Sequence, residues 1–365
     1  MAEMTESRQG PLEQAVHELC ADVRPPSEGA EERAWQRLDS LTKPPRSLGE
    51  LEVLAARIAA VQETGRPTCC PSAITVFAAD HGVVAEGVSA WSTDVTAQMV
   101  ANFASGGAAI NQLAAHVGAR LVVVDVGVAS DTSALDGVLQ AKVRPGTRNM
   151  VVEPAMTREE AAAAFMAGAE LARTLADDGI KVIGTGEMGI GNTTAASALA
   201  AAYTEVPVSR VVGRGTGVDD TTLQRKMAVV ADALRLHPPR HDDPFGTLAA
   251  LGGLEIAAMA GVFVGGAAAR VCVVADGFIS AAAALAAMSL CPASRHYSFG
   301  SHTSREPGHS VTLVPLQLSP FLHLDMRLGE GTGAALGIGV MGAACAMMNG
   351  MATFEEAGVS GRSDS

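Results

Sequence analysis

Apolar residues recur along the chain with two different periods. In the stretch from Glu31 to Gln62, Leu51, Leu54, Ala55, Ile58 and Val61 fall at helical spacing, a stripe that buries one helix face. The helical stretch is interrupted at Thr42-Lys43-Pro44-Pro45-Arg46-Ser47-Leu48-Gly49, a stiff connector. Leu12–Val23 also fits a helix, whereas the polar residues 1 to about 30, with Pro25-Pro26, predict a frayed start. From residue 71 the texture changes to short β-branched runs that close on Gly or Asp. Ala73–Asp80 and Arg120–Gly127 read as buried parallel strands, Lys181–Gly184 as a third, and Ala267–Ala275 and Ser310–Leu316 as later ones. Helices are expected at Thr93–Phe103, Thr157–Asp178 and Ala195–Ala202. Strands alternating with helices predict an α/β fold with a doubly wound, mostly parallel sheet. Ligands in such sheets sit at the carboxyl ends of the strands. A small-residue helix closes the pattern between Leu328 and Gly350, and the tail after Phe354 reads as exposed. Paired with the N-terminal helices, it would form a second, smaller domain: 1–65 and 319–365 helical, 66–318 sheet-based.

Composition narrows the function classes. Ala, Gly and Val dominate, and charged residues are only 18%, which suits close helix–sheet packing. The net charge of −13 argues against nucleic acid, because no basic stripe exists to neutralise phosphates. A small anionic ligand needs only local amides and one or two cations. Six cysteines without a C-x-x-C pair read as mostly buried thiols in a reducing cytosol. No signal peptide is apparent, and apolar runs such as Gly252–Gly266 are short and glycine-broken, so neither export nor a membrane span is expected.

Three stretches carry candidate chemistry. Met326-Arg327-Leu328-Gly329-Glu330-Gly331 sets one carboxylate among glycines, where the backbone can turn sharply and a ligand can approach closely; Glu330 is a candidate general base. Gly184–Thr194 follows a strand and opens a helix, so its amides could hold an anion. Gly184-x-Gly186-x-x-Gly189, with Glu205 about 20 residues on, satisfies the dinucleotide fingerprint literally. Glu187 would oppose a pyrophosphate there, so a phosphate or ribose loop is the preferred reading. Gly213–Asp220, leading to Lys226, reads equally as a flexible loop or as phosphate donors with a cation. Ser301–Ser304 offers hydroxyls. His17, His116 and His296 read as structural or surface residues, and Pro238-Pro239 between His237 and His241 precludes a helical metal pair. No metal site and no cofactor are expected.

Eight stretches, taken in order, resemble one family. They are Lys43–Glu52, Ala79–Val83 with Glu86–Val88, Val124–Gly127, Gly186–Thr194, Gly252–Glu255, Asp276–Ser280, Ser301–Ser304 and Met326–Gly331. The family is nicotinate-nucleotide–dimethylbenzimidazole phosphoribosyltransferase, of cobalamin synthesis. The resemblance implies a Rossmann-like large domain, a small helical domain built from both chain ends and a homodimer; the cysteine usage adds the expectation of a cytoplasmic enzyme. It also implies a reaction in which 5,6-dimethylbenzimidazole displaces nicotinate from nicotinate mononucleotide, giving α-ribazole 5′-phosphate. By the same resemblance Glu330 is the catalytic base. Leu328, Gly329, Gly186, Glu187, Gly189, Asn192 and Thr193 line the substrate site, and Gly215, Gly217, Lys226 and Ser304 are nucleotide-side positions. Asp80, His81, Ser89 and Gln98 border the base pocket. The chain departs from the family at Arg46, where glycine is usual, and at Trp91, where a smaller or different ring is expected; the latter leaves the preferred base open. Two rival readings remain at this level: a nicotinamide-dependent dehydrogenase resting on Gly184–Gly189, and an inert nucleotide- or benzimidazole-binding protein, which would have no need of Glu330.

Overall fold

The computed structural model describes residues 10–27, 29–215 and 217–360. Of the frayed start expected over residues 1 to about 30, residues 1–9 and Glu28 lie outside the described residues, while Pro11–Asp22 is helical. Thr216 of the second glycine-rich loop and the last five residues of the tail also lie outside them. One sheet organises the molecule. Its strands are β1 (Ser72–Ala79), β2 (Arg120–Gly127), β3 (Val138–Gln140), β4 (Val182–Met188), β5 (Cys272–Ala275) and β6 (Ser298–Gly300). All pairings are parallel, in the order β3-β2-β1-β4-β5-β6. The winding reverses between β1 and β4, the switch point at which doubly wound sheets open a crevice for ligands. β1 is buried along its whole length and β4 in all but its last residue, as strands covered on both faces must be.

Fifteen α-helical segments surround the sheet among the described residues. The first three are α1 (Pro11–Asp22), α2 (Ala30–Asp39) and α3 (Glu50–Val61). After β1 come α4 (Asp94–Ala104) and α5 (Ala109–His116), and after β3 comes α6 (Arg158–Asp177). Between β4 and β5 lie α7 (Asn192–Thr204), α8 (Val208–Val211), α9 (Asp220–Leu236), α10 (Pro244–Leu251) and α11 (Leu254–Ala268). The rest are α12 (Phe278–Leu290), α13 (Pro307–Leu316), α14 (Thr332–Gly350) and α15 (Phe354–Ala357). α11 lies across β1, β4 and β5 on one face, and α6 packs over it. A β-carbon at Gly168 or Gly261 would stand 1.8 Å from a carbonyl of the facing helix, so the small-residue composition is what lets these two backbones touch. α14, with α4 and α5, covers the opposite face. By length and hydropathy α14 is the one described helix that could cross a membrane, but half of that window is buried in the protein.

The connector at Thr42–Gly49 has a specific anatomy. Lys43 is buried and its Nζ lies 2.6 Å from Glu52 Oε2, while Leu48 N donates to Glu52 Oε1 at 2.9 Å. Arg46 stands in the left-handed region (φ 63°), and its guanidinium stacks 3.5 Å over the Trp35 ring. The left-handed backbone at Arg46 thus coincides with a cation–π contact. Chain ends meet beside it, with Leu41 bridged to Thr353 and Thr42 N donating to Ala352 O at 3.0 Å.

Three sequence expectations are corrected. Ser310–Leu316 is not a strand but part of α13, because His309, Thr312 and Leu316 are buried at helical spacing and Pro307 presets the first turn. Ala267–Ala275 is a strand only from Cys272; its beginning completes α11, and Arg270 (φ 58°) turns the chain between them. The stretch Gly184–Thr194 is mostly not a loop: Gly184 and Gly186 lie inside β4, leaving Gly189–Gly191 as the turn into α7. The dinucleotide fingerprint therefore fails on structure, since its first two glycines do not open a phosphate turn. Glu205 points away from that role as well, exposed and 2.6 Å from His241.

Candidate active site

Glu330 sits in a run of three left-handed residues: Gly329 (φ 86°), Glu330 (φ 63°) and Gly331 (φ 86°). Glycine adopts this conformation freely, whereas a residue with a β-carbon is strained by about 1–2 kcal/mol. Two contacts hold the run in place. The strand below it carries Gly186, where a β-carbon would stand 2.6 Å from the Glu330 carbonyl oxygen. Asp276, just beyond β5, accepts the N–H groups of Gly331 (3.2 Å), Gly333 (2.6 Å) and Ala334 (3.1 Å). A carboxylate on these orphan amides suits the positive end of α14. The Glu330 carboxyl is itself buried, and among the described residues its Oε2 has no hydrogen-bond partner. Burial raises its pKa, opposed by the backbone amide of Ile110 in the first turn of α5.

This carboxyl faces a cavity of about 370 Å³ outside the carboxyl ends of β4, β5 and β6. One wall is apolar: Trp91, Val95, Met99, Ile190, Phe278 and Leu328. The polar side carries Glu187, Asn192, Thr193, Ser304, Glu306 and Arg327. Glu187 accepts a hydrogen bond from the Asn192 side-chain amide. Burial, then the carboxyls of Asp276, Glu255 and Glu330, push its pKa up to about 8, and burial lifts Asp276 to about 7. Burial and the neighbouring carboxyls therefore favour the neutral, proton-bearing form of Glu187. Behind Thr193, Lys226 is fully buried, with Nζ 2.7 Å from Thr193 Oγ1 and 3.4 Å from Gly213 O; burial lowers its pKa to about 8. Arg327 donates to Gly215 O at 3.0 Å. The first turns of α7 and α12 open onto the same cavity.

Over residues 23–359 the chain matches a family model described as a phosphoribosyltransferase, DBI_PRT. It is 50% identical over 347 residues to the nicotinate-nucleotide–dimethylbenzimidazole phosphoribosyltransferase of Roseiflexus sp. (strain RS-1), covering 95% of this chain and 98% of that one. The chain belongs to this family. The Chloroflexus aurantiacus (strain J-10-fl) member is 51% identical over 345 residues, 94% of this chain and 98% of its own. A crystal structure of CobT from Thermus thermophilus superposes with a TM-score of 0.87 at 49% identity, covering 91% of this chain and 99% of that one. As a family member the chain places its six-stranded parallel sheet and its Arg-Leu-Gly-Glu motif in one architecture.

Of the family positions read from the sequence, Glu330, Gly329, Leu328, Glu187, Gly189, Asn192, Thr193, Gly215 and Ser304 come together on the cavity wall. Gly186 lies beneath Glu330, and Lys226 stands behind Thr193, bonded to its hydroxyl. The remaining positions stand elsewhere. Asp80 is buried behind the wall, accepting Ala129 N at 2.8 Å, and His81 pairs with Glu255 at 2.6 Å. Ser89 binds the Trp91 backbone. Gln98 points to solvent from α4, whose Val95 and Met99, four residues apart, face the cavity. Gly217 is exposed. The sequence reading missed Asp276, His302, Glu306 and Arg327 as site residues. Asp276 had a signal, an acid closing a β-branched run inside one of the eight stretches; His302 and Arg327 also lie inside such stretches, at Ser301–Ser304 and Met326–Gly331; Glu306 had none beyond proximity.

Proposed function

We propose that the cavity transfers the 5-phosphoribosyl group of nicotinate mononucleotide to 5,6-dimethylbenzimidazole, releasing nicotinate and forming α-ribazole 5′-phosphate. The observation that carries this reading is the buried Glu330 carboxyl, with one oxygen unpartnered, on the wall of an apolar cavity. The leaving nitrogen of nicotinate mononucleotide is already a pyridinium, so its departure needs no general acid. The azole attacks C1′ through its unprotonated ring nitrogen, and its other N–H must then lose a proton. Glu330 takes that proton, a contribution of roughly 10²- to 10⁴-fold. Desolvation makes Glu330 a stronger base than an exposed glutamate. Attack opposite the leaving group inverts the anomeric carbon, turning a β-nucleotide into an α-riboside. The phosphate belongs with the first turn of α7, Arg327 and Lys226, where helix amides and cations favour an anion. Neutral Glu187 is suited to donate to a ribose hydroxyl or ring nitrogen rather than to compete as a second base.

The same reading includes a homodimer, a reducing cytoplasm and a division into a sheet-based unit (66–318) and a helical unit (1–65 and 319–365). Packing of α3 on α14 supports the division. Cys69 and Cys345, buried free thiols that share a hydrogen bond at 3.5 Å, support the compartment. Light scattering of the purified chain tests the dimer. The activity is tested by mixing protein with both substrates and following nicotinate by chromatography. Glu330→Gln should lower turnover by at least 10²-fold with nucleotide binding retained; a fully active variant overturns the assignment.

A further inference from the structure

Two large apolar side chains on the cavity wall are exposed to solvent: Trp91 at 52% and Leu328 at 56%. They come from separate segments, the loop before α4 and the Glu330 motif. An apolar rim left uncovered in the free protein marks a surface that a ligand covers. The indole is presented from a fixed backbone. Trp91 N donates to Ser89 Oγ at 3.0 Å, and that hydroxyl donates to Trp91 O at 3.1 Å. On one side Arg225 of α9 donates to Gly87 O at 3.3 Å; on the other, Ser92 Oγ donates to the Asp94 carboxylate at the start of α4. The wall continues from Trp91 into Val95 and Met99, with no charged group among them. Of the groups able to hold ribose and phosphate, Thr193 and Gly215 come from other segments, and Arg327 adjoins Leu328 but donates to Gly215 O. An uncharged flat ring loses least hydration on such a wall, and a large aromatic face is what it offers.

We propose that Trp91 is a specificity-determining residue: its indole stacks on the incoming aromatic azole and selects fused two-ring bases over single-ring ones. This rests on the phosphoribosyl-transfer reading above. The indole acts on the acceptor base alone, with Leu328 closing over the same ligand. Its contribution lies in binding, so it enters KM for the base and leaves the proton transfer to Glu330.

The test compares Trp91→Ala and Trp91→Phe with the unaltered protein in steady-state kinetics. Trp91→Ala is expected to raise KM for dimethylbenzimidazole about tenfold, the size of an aromatic contact, with KM for nicotinate mononucleotide changed less than twofold. Trp91→Phe restores most of the loss. With imidazole as acceptor the alanine substitution should change kcat/KM less than twofold, so discrimination between the bases collapses. Trp35 and Trp91 are the only tryptophans, so Trp35→Phe leaves Trp91 as the single indole reporter, and titration with dimethylbenzimidazole should quench its fluorescence. Three results overturn the proposal: an unchanged KM for the base, an equal rise in KM for the nucleotide, or a changed oligomeric state with KM unaltered. If the unaltered protein releases no nicotinate, the reaction reading fails, while the quenching titration still decides whether Trp91 contacts the base.

Discussion

Glu330 carries its charge where neighbouring side chains give it little relief, and that shapes how the protein responds to pH. Its pKa is raised by burial, so the acid limb of kcat/KM should lie above the ordinary glutamate value of 4.5. Protonation of the azole shapes the same limb; profiles with two azoles of different basicity separate them, and the inflection common to both belongs to Glu330. Loss of that common inflection in both profiles rules the glutamate out as the titrating base. Stability responds through Glu187. It titrates near 8 in the folded protein against 4.5 ordinarily, so the native state keeps a proton that the unfolded chain has released in that window. The favourable contribution is complete below about 4.5 and disappears as pH rises through about 8. Asp276, near 7, acts in the same sense. Tm should therefore fall between about pH 5 and pH 8, and Glu187→Gln should flatten that decline; superimposable profiles would show that Glu187 is not neutral at pH 7. Glu330 was legible in the sequence because a lone acid among glycines has little structural reason to be there. Asp276 and Glu187 owe their roles to burial and to one another, which a linear pattern does not display.

At the level of elements, the site depends on how α14 begins. A methyl group at Gly331 would meet Ile74 Cγ2 at 2.8 Å, and φ there is +86°. Gly331→Ala should cost about 1–3 kcal/mol of stability and lower kcat further, because Glu330 moves with its neighbour. Chemical denaturation together with kinetics checks both; a variant as stable and as fast as the parent would mean that the loop is not held as described. Asp276→Asn keeps an acceptor for part of the amide cluster but removes the charge facing the positive end of α14. A drop in kcat larger than any rise in KM is expected, since Asp276 positions the base without lying on the apolar wall. Long elements with clear periods, such as β1, β2 and α6, were readable from apolar spacing. α13 was misread because Val311, Leu313 and Val314 mimic a strand until burial at His309, Thr312 and Leu316 shows the helical face. β3 and β6 span three residues each, too short for any periodicity.

For the whole molecule, the doubly wound order was legible only as a class. Alternation of strands and helices implied a parallel sheet, but the order β3-β2-β1-β4-β5-β6 comes from crossovers that leave no local mark. The gathering of Glu187, Asp276, Ser304 and Glu330 follows from that order, because their segments leave the carboxyl ends of β4, β5 and β6 or enter α14 beside them. α14 also has a second duty: it covers one face of β1, β4 and β5. The segment that carries Glu330, the proposed proton acceptor, is thus the one that keeps the central strands dry. A descendant of this chain could lose activity and persist by exchanging the acid for another side chain. Deleting the segment would remove the fold along with the reaction, so inactive but folded relatives should keep α14.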